Sequence, residues 1–300
     1  MAADGLDDIL QWEGCWVPLA TLKEVLDDAF RNGYAVGQFN INNLEFTQAI
    51  MEAAEEERSP VILGTSEGAI KYMGIDYTAA IALTAARNAT VPVVLHLDHG
   101  SSYEWVLKCL RRGWSSIMID GSHHPLEENI RLTKQVVDAC KVLGVSVEGE
   151  LGRIGGTEDE LTVDEREASL VRPEEAKRLV EETGIDALAP AIGSAHGRYK
   201  GKPQLDFDRL ATVRDLCKLP LVLHGGSGIP DEDIRKAISL GVAKINVNTE
   251  NQEAFTAKVR EIFAADREVY DPRKYLGPAR QAIKETVKAK IRLFGSNGKA

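Results

Sequence analysis

Short runs of apolar, mostly β-branched residues alternate with amphipathic stretches along the chain. Most of the runs are almost continuously apolar, as expected for parallel strands that are covered on both faces. They predict eight strands, at Ala35–Asn40, Pro60–Thr65, Pro92–Asp98, Ser115–Asp120, Val145–Glu150, Asp186–Ile192, Leu219–His224 and Ala243–Asn248. Repeated strand–helix units predict an α/β fold, a (β/α)8 TIM barrel. A doubly wound open sheet is the alternative, but no G-x-G-x-x-G follows the first strand.

The amphipathic stretches predict helices. In Glu127–Leu143 the apolar residues fall at helical spacing, and Gly144 suits the left-handed position that often ends a helix. We predict further helices at Leu19–Arg31, Asp231–Leu240 and Gly277–Phe294.

Two segments exceed a minimal barrel. Residues 1–17 form an N-terminal extension that contains Trp12 and Trp16, which leaves residues 18–300 as a single barrel domain. The polar stretch Arg153–Val171 is a long loop after the fifth strand. Loops of this length are usually functional or disordered, and a βα loop lies over the active face of a barrel. We therefore expect this loop to be a candidate lid.

The composition narrows the classes of partner. The 300 residues carry a formal net charge of -10 at pH 7, which argues against nucleic acid or an anionic membrane as the main partner. The four cysteines are scattered without a C-x-x-C pair. That usage favours a reducing cytoplasm, and no apolar run approaches the roughly eighteen residues of a membrane span.

Polar residues cluster at the ends of the predicted strands. In barrels of this kind the active site is built at the carboxyl ends of the strands. The residues there are Asn40, Thr65, Ser66, Asp98, His99, Asp120, Glu150, His196, His224, Asn246 and Asn248.

Three of the six histidines fall at this rim on different strands: His99, His196 and His224. Any one of them alone is more simply a hydrogen-bonded loop residue. Three neutral imidazoles with an open fourth position are typical of catalytic zinc, and the neighbouring carboxylates favour that interpretation. His96 lies inside a strand and reads as a core histidine or a support for the ligands.

Glycine-rich turns adjoin two of these histidines. Residues 224–228 read His-Gly-Gly-Ser-Gly before a predicted helix, and Gly197 follows His196, with Lys200 close behind. Glycine backbones and helix N-termini accommodate phosphate, although such glycines can merely form tight turns. Beside three histidines, phosphate is the better interpretation.

These segments resemble the class II fructose-bisphosphate aldolases, and in particular their bacterial branch. The resemblance runs from about Leu19 to Lys299. It rests on the combination HLDHG at 96–100, LHGGSGIP at 223–230 and KINVNTE at 244–250. Residues 1–17 have no counterpart in it.

The resemblance implies reversible cleavage of fructose 1,6-bisphosphate to dihydroxyacetone phosphate and glyceraldehyde 3-phosphate, a reaction of glycolysis and gluconeogenesis, through a zinc-stabilised enediolate. It implies that His99, His196 and His224 bind Zn²⁺, and that Asp120 and Glu150 hold a second divalent position. Asp98 corresponds to the acid/base at the cleaved bond and Glu158 to the base for the donor's proton. Asn246 corresponds to the donor of a hydrogen bond to the developing charge.

The same resemblance implies the substrate contacts. The dihydroxyacetone phosphate site matches Gly197, Gly225, Gly226, Ser227, Asn246, Val247, Asn248 and Thr249, with a monovalent cation (Na⁺ or K⁺) to neutralise the phosphate. Asn40, Ser66 and Arg273 match contacts to the aldehyde half. Arg273 would reach in from a neighbouring subunit, which implies a homodimer or homotetramer.

The sequence leaves alternatives open for the mechanism, the substrate and the class of function. Lys244 on the last strand invites a Schiff-base mechanism, against a structural or phosphate-facing role. Tagatose-1,6-bisphosphate and 5-dehydro-2-deoxygluconate 6-phosphate are other aldolase substrates. A non-catalytic barrel that binds sugar phosphates is a third class.

Overall fold

A computed structural model of the chain describes residues 19–158, 161–163, 169–199, 201 and 203–300. In chain order its strands are β1 Val36–Asn40, β2 Val61–Ser66, β3 Val93–Gly100, β4 Ser116–Ile119, β5 Ser146–Leu151, β6 Gly155–Glu158, β7 Leu161–Val163, β8 Ala187–Pro190, β9 Ala195–His196, β10 Leu221–Leu223 and β11 Val242–Val247. Eight of them close into a parallel barrel in the order β1-β11-β10-β8-β5-β4-β3-β2. The predicted (β/α)8 barrel and its eight strands are confirmed.

The helices are α1 Leu22–Asn32, α2 Leu44–Glu57, α3 Glu67–Met73, α4 Ile75–Asn88, α5 Tyr103–Leu110, α6 Leu126–Val142, α7 Pro173–Thr183, α8 Phe207–Cys217, α9 Asp231–Ser239, α10 Thr249–Ala265 and α11 Pro272–Phe294. None of these described helices combines the length and the apolar character that crossing a bilayer requires.

Two predicted helix starts were wrong. The helix expected from Leu19 begins at Leu22, because Thr21 and Glu24 form a capping box in which each side chain accepts a hydrogen bond from the other's backbone N–H. The helix expected from Gly277 begins at Pro272. The N-terminus of this helix is capped by Asp271, whose carboxylate accepts a hydrogen bond from the backbone N–H of Arg273 at 3.0 Å. Pro278 lies within the helix.

α1 covers the amino-terminal end of the barrel. Its apolar face (Leu22, Val25, Leu26 and Ala29) packs on inward-facing residues of the strands, among them Val36, Ile62, Val94 and Val222. Burying a side chain of this size stabilises the fold by about 1.5–3 kcal/mol. The opposite, carboxyl-terminal mouth is the end at which polar side chains collect.

The stretch expected to be a long loop contains an antiparallel hairpin of β6 and β7. β6 also pairs in parallel with β9, with Gly156 opposite His196. Arg153 and Ser169, which flank the hairpin in the chain, exchange backbone hydrogen bonds at 3.0 and 3.1 Å. These bonds hold the two ends of the inserted segment together. The extension at residues 1–17, with Trp12 and Trp16, lies outside the described residues.

Candidate active site

His99 occupies an unusual position at the end of β3. Its φ is +49°, in the left-handed region that non-glycine residues seldom adopt. The pairing of β3 with β4 shifts register between Leu97 and Gly100. Irregularities of this kind re-aim side chains and are frequent beside active sites.

Three imidazoles converge at the mouth of the barrel. His99 Nε2 lies 2.9 Å from His224 Nδ1, and His196 Nε2 lies 3.4 Å from the same atom. The three ligand nitrogens all lie within 4.8 Å of one another. Nitrogens bound tetrahedrally at 2.0–2.1 Å to a zinc ion would stand roughly 3.3 Å apart. The donor set therefore fits a single Zn²⁺ ion in both chemistry and spacing.

Two carboxylates lie on the other side of His99. Its Nδ1 is 2.9 Å from Asp120 Oδ2 and 3.9 Å from Glu150 Oε2, and the three side chains form a second possible metal group. Burial alone would raise the pKa of Asp120, but the hydrogen bond and charge of His99 outweigh it and hold that pKa below its ordinary value. Burial, followed by the charge of Asp120, raises the pKa of Glu150 well above normal.

Asp98 is completely buried between two amides. Its Oδ2 accepts from Asn40 Nδ2 at 2.9 Å, and its Oδ1 accepts from Asn246 Nδ2 at 3.2 Å. Asn246 Nδ2 also lies 3.3 Å from His224 Nδ1. Asn246 thus connects the carboxylate to the histidine cluster.

A cavity of about 390 Å³ opens beside the histidines. It is lined by Asn40, Thr157, His196, Gly197, Arg198, Gly225, Ser227, Asn246, Asn248, Thr249 and Gln252. None of these lining residues carries a carboxylate. One of them, Thr249, is the first residue of helix α10. Backbone N–H groups at a helix N-terminus favour an anion, so the cavity suits a phosphate.

Gly225 is sterically required in the wall of this cavity. Its φ is +65°, and an added Cβ would approach the carbonyl oxygen of Ala195 to 2.1 Å. Gly226 and Val247, also expected at the phosphate, are not among the lining residues. A Cβ at Gly226 would meet Ile245 Cγ2 at 2.5 Å, and the Val247 side chain is fully buried.

Other expected residues stand apart from the cavity. Ser66 is buried, and its hydroxyl accepts from Ala69 N at 3.3 Å as the cap of α3. Arg273 is exposed and pairs with Asp271 at 2.8 Å. Lys200 lies outside the described residues, as does the side chain of Glu158, whose backbone ends β6.

Lys244 is not available to a substrate carbonyl. Its side chain is fully buried, and Nζ donates to Glu148 Oε2 at 2.8 Å. It does not line the cavity. The structural interpretation of Lys244 fits this environment, whereas the Schiff-base and phosphate-facing interpretations do not.

The sequence analysis missed Glu148, Arg198 and Gln252. Glu148 Oε1 lies 2.9 Å from His224 Nε2, while Arg198 and Gln252 line the cavity. A signal existed for Glu148, since it stands two residues before Glu150 on one strand, and alternate residues of a strand share a face. A larger groove of about 680 Å³ between α2 and α4 shares no residue with the histidine site.

The sequence model of a family described as "Fructose-bisphosphate aldolase class-II" matches residues 20–299. The chain belongs to the class II fructose-bisphosphate aldolase family. The expected aldehyde-lyase is thereby confirmed, and neither the related aldolases nor a non-catalytic barrel is favoured. The family depends on zinc, which agrees with the histidine-rich group at the mouth of the barrel.

Relatives of this aldolase cover almost its entire length. It is 58% identical to the fructose-bisphosphate aldolase of Geobacillus stearothermophilus over 285 residues, which are 94% of this chain and 99% of that protein. It is 56% identical to the fructose-bisphosphate aldolase of Staphylococcus aureus, over 95% of this chain and 100% of that protein.

Solved structures agree with this fold. The YdjI aldolase of Escherichia coli K12 superposes with a TM-score of 0.84 at 40% identity, covering 94% of this chain and 99% of that chain. The fructose-bisphosphate aldolase of Campylobacter jejuni superposes with a TM-score of 0.81 at 26% identity, covering 94% and 97%.

Proposed function

We propose that the chain reversibly cleaves fructose 1,6-bisphosphate to dihydroxyacetone phosphate and glyceraldehyde 3-phosphate at the histidine-lined mouth of its barrel. The observation that carries this proposal is the convergence of three imidazole nitrogens within 4.8 Å of one another, beside a buried carboxylate and a phosphate-sized cavity. His99, His196 and His224 would hold Zn²⁺. Asp120 and Glu150 would serve a second divalent position on the other side of His99.

When bound, Zn²⁺ acts as a Lewis acid that withdraws electron density from the substrate ketone. Asp98 handles the proton at the cleaved bond. In cleavage its carboxylate accepts the proton of the C4 hydroxyl while the C3–C4 bond breaks, and in synthesis it returns that proton to the aldehyde oxygen. The amides of Asn40 and Asn246 hold both of its oxygens in place. General acid/base catalysis of this kind contributes about 10²–10⁴-fold.

Asn246 has a second role in this proposal. Its Nδ2 lies between Asp98 and His224, where it can donate a hydrogen bond to charge that develops on the donor oxygen. A donor placed before the reaction stabilises such charge without reorganisation.

The cavity beside the histidines would bind the phosphate of the donor half. Ser227, Asn248 and the N-terminus of α10 supply hydrogen-bond donors there, and Arg198, whose guanidinium pairs with Glu253, also lines the cavity. Gly197, Gly225 and Thr249 form its wall, and a Na⁺ or K⁺ ion would neutralise the remaining charge. Lys200 would be a further contact to the phosphate. The phosphate fixes the ketose so that its carbonyl faces the three histidines.

Glu158 would transfer the proton at the donor carbon. It ends β6, and the preceding residue, Thr157, lines the cavity. The β6–β7 hairpin therefore lies beside the site, and its closure would exclude water while the carbanion exists.

The aldehyde half would contact Asn40, Ser66 and Arg273. Because Arg273 is exposed and away from the cavity of its own chain, it would act from a neighbouring subunit in a homodimer or homotetramer. We also propose a cytoplasmic enzyme whose partners are sugar phosphates, without nucleic acid or membrane, and a barrel domain at 18–300 preceded by an extension at 1–17.

Turnover of three ketoses side by side tests this proposal. The zinc-loaded protein should cleave fructose 1,6-bisphosphate with the highest kcat/KM, ahead of tagatose 1,6-bisphosphate and 5-dehydro-2-deoxygluconate 6-phosphate. Preference for either of the other two would overturn the assignment of the substrate. Tight binding of all three without turnover would instead indicate a non-catalytic barrel.

A further inference from the structure

A line of buried polar groups runs behind His224, away from the cavity. His224 Nε2 lies 2.9 Å from Glu148 Oε1, and Lys244 Nζ donates to Glu148 Oε2 at 2.8 Å. All three side chains are inaccessible to solvent. They come from three barrel strands or their ends, since Glu148 lies on β5, His224 follows β10 and Lys244 lies on β11.

The hydrogen bond to Glu148 decides which nitrogen of His224 is free. An ionised carboxylate only accepts hydrogen bonds, so the imidazole nitrogen that faces it must carry the hydrogen. His224 therefore carries its hydrogen on Nε2 and presents the lone pair of Nδ1. That atom is the one that meets His99 Nε2 and His196 Nε2.

Lys244 fixes the other oxygen of the same carboxylate. Its Nζ occupies Oε2, which leaves Oε1 to face His224 Nε2, so the carboxylate is held from both sides and the ring of His224 is held by it. The nearby His96 is a more distant partner: its Nε2 stands 3.6 Å from Glu148 Oε2, against 2.8 Å for Lys244 Nζ, and its Nδ1 lies 2.7 Å from Ser116 Oγ. Lys244 is thus the cation that pairs most closely with Glu148 and holds its carboxylate in place.

The burial of this ion pair is poorly explained by stability alone. Desolvating two charges costs several kcal/mol per ion, and replacing such pairs by apolar residues is often neutral or stabilising. The neighbouring inward-facing positions toward the closed end of the barrel, such as Val94 and Val222, are filled by apolar side chains. A charged pair in this position instead suits a task that apolar side chains cannot perform.

We propose that Glu148 and Lys244 form a positioning pair, which fixes the tautomer and ring orientation of His224 so that the three-imidazole site exists before metal arrives. Neither residue lines the cavity or belongs to the groups of side chains that could hold a metal. The inference rests on the proposed metal site, and partners of this kind typically change metal affinity by about 10–100-fold when removed.

The first test needs no variant and no metal. In metal-free wild-type protein labelled with ¹⁵N-histidine, the nitrogen resonances of His224 should report hydrogen on Nε2 and none on Nδ1. The opposite tautomer would overturn the proposal, whether or not any variant folds.

The second test measures zinc affinity by competition with a chromogenic chelator. Glu148→Gln and Lys244→Met should each weaken zinc binding by about 10–100-fold, and Lys244→Met should also give a mixture of His224 tautomers. In Glu148→Gln the single amide oxygen can accept from only one of the two neighbours, so the NH₂ would face either the ammonium of Lys244 or Nε2 of His224. The double variant removes that conflict, so it should bind zinc no more weakly than Glu148→Gln alone.

Val94→Ala is the matched control, because it removes packing from the barrel interior without touching the pair. It should lower the melting temperature and leave zinc affinity and the His224 tautomer unchanged. If Glu148→Gln and Lys244→Met behave in the same way, the pair is structural and the proposal is overturned. A wild-type protein that binds no zinc would instead refute the metal site itself.

Discussion

Asp98 and His99 are neighbours in the chain, yet both side chains reach the same open end of the barrel. Asp98 meets Asn40 and Asn246 there, and His99 meets His224. Consecutive residues of a regular strand point to opposite faces. The left-handed backbone of His99 and the register shift before Gly100 break that alternation. The fold thereby places the proposed proton carrier directly beside a proposed metal ligand.

Replacing Asp98 should separate metal binding from proton transfer. We expect Asp98→Ala to retain zinc through the histidines and to lose about 10²–10⁴-fold in kcat, the usual contribution of general acid/base catalysis. Steady-state rates and metal analysis of the same sample give both quantities. A loss of only a few-fold in kcat would remove Asp98 from the proposed role.

Gly225→Ala tests the wall of the phosphate cavity. The new methyl group would press on the carbonyl oxygen of Ala195 and distort the turn, so KM for fructose 1,6-bisphosphate should rise by at least tenfold. Gly33→Ala is the control, since Gly33 has a similar φ of +69° but open space around its Cβ position. It should cost about 1 kcal/mol of stability with KM unchanged. Equal KM values for both variants would contradict the phosphate assignment.

Glu158→Ala should slow the exchange of the donor carbon proton of dihydroxyacetone phosphate with deuterated water. The reason is that no other group in the proposal handles that proton. NMR of the triose phosphate follows the exchange directly, and Glu160→Ala provides another acidic position two residues away. Unchanged exchange in Glu158→Ala would show that a different base acts.

His96 should make the metal-free protein sensitive to acid. Burial, followed by the charge of Lys244, lowers the pKa of His96 from 6.5 to about 3. Below about pH 6.5, His96 is therefore protonated in the unfolded chain but stays neutral in the folded chain. The stability that neutral His96 contributes is fully present above that pH and is lost as pH falls toward 3.

Urea unfolding of metal-free protein between pH 7.5 and about 4.5 measures this effect. Wild type should lose more free energy of unfolding over that range than His96→Gln, which cannot take up the proton. Parallel pH profiles for the two proteins would show that His96 is not the responsible group.

The parts of this molecule that follow from general rules were predictable from sequence. Buried parallel strands need apolar residues on both faces, which produced the eight strand positions. Barrels build their sites at strand ends, which brought His99, His196 and His224 into one hypothesis. Local exceptions were not predictable: nothing in the sequence around His99 signals its positive φ, and the helix predicted from Gly277 begins five residues earlier, at Pro272.

Buried polar partners were the other gap. The sequence allows a structural role for Lys244 but does not identify its partner, because Glu148 is 96 residues away in the chain. Such a pairing depends on the closed strand order, in which β10 and β8 separate β11 from β5 and the two side chains meet inside the barrel. The sequence of a single strand therefore does not predict the Lys244–Glu148 ion pair.

The central claim is that one divalent ion on three histidines carries the reaction. Its most direct test is the cleavage of fructose 1,6-bisphosphate by protein stripped of metal, followed as Zn²⁺ is added back. The account predicts no measurable cleavage in the stripped protein and recovery that is complete near one zinc per chain, with no recovery in His224→Ala. Full activity without metal, or undiminished recovery in that variant, would contradict it.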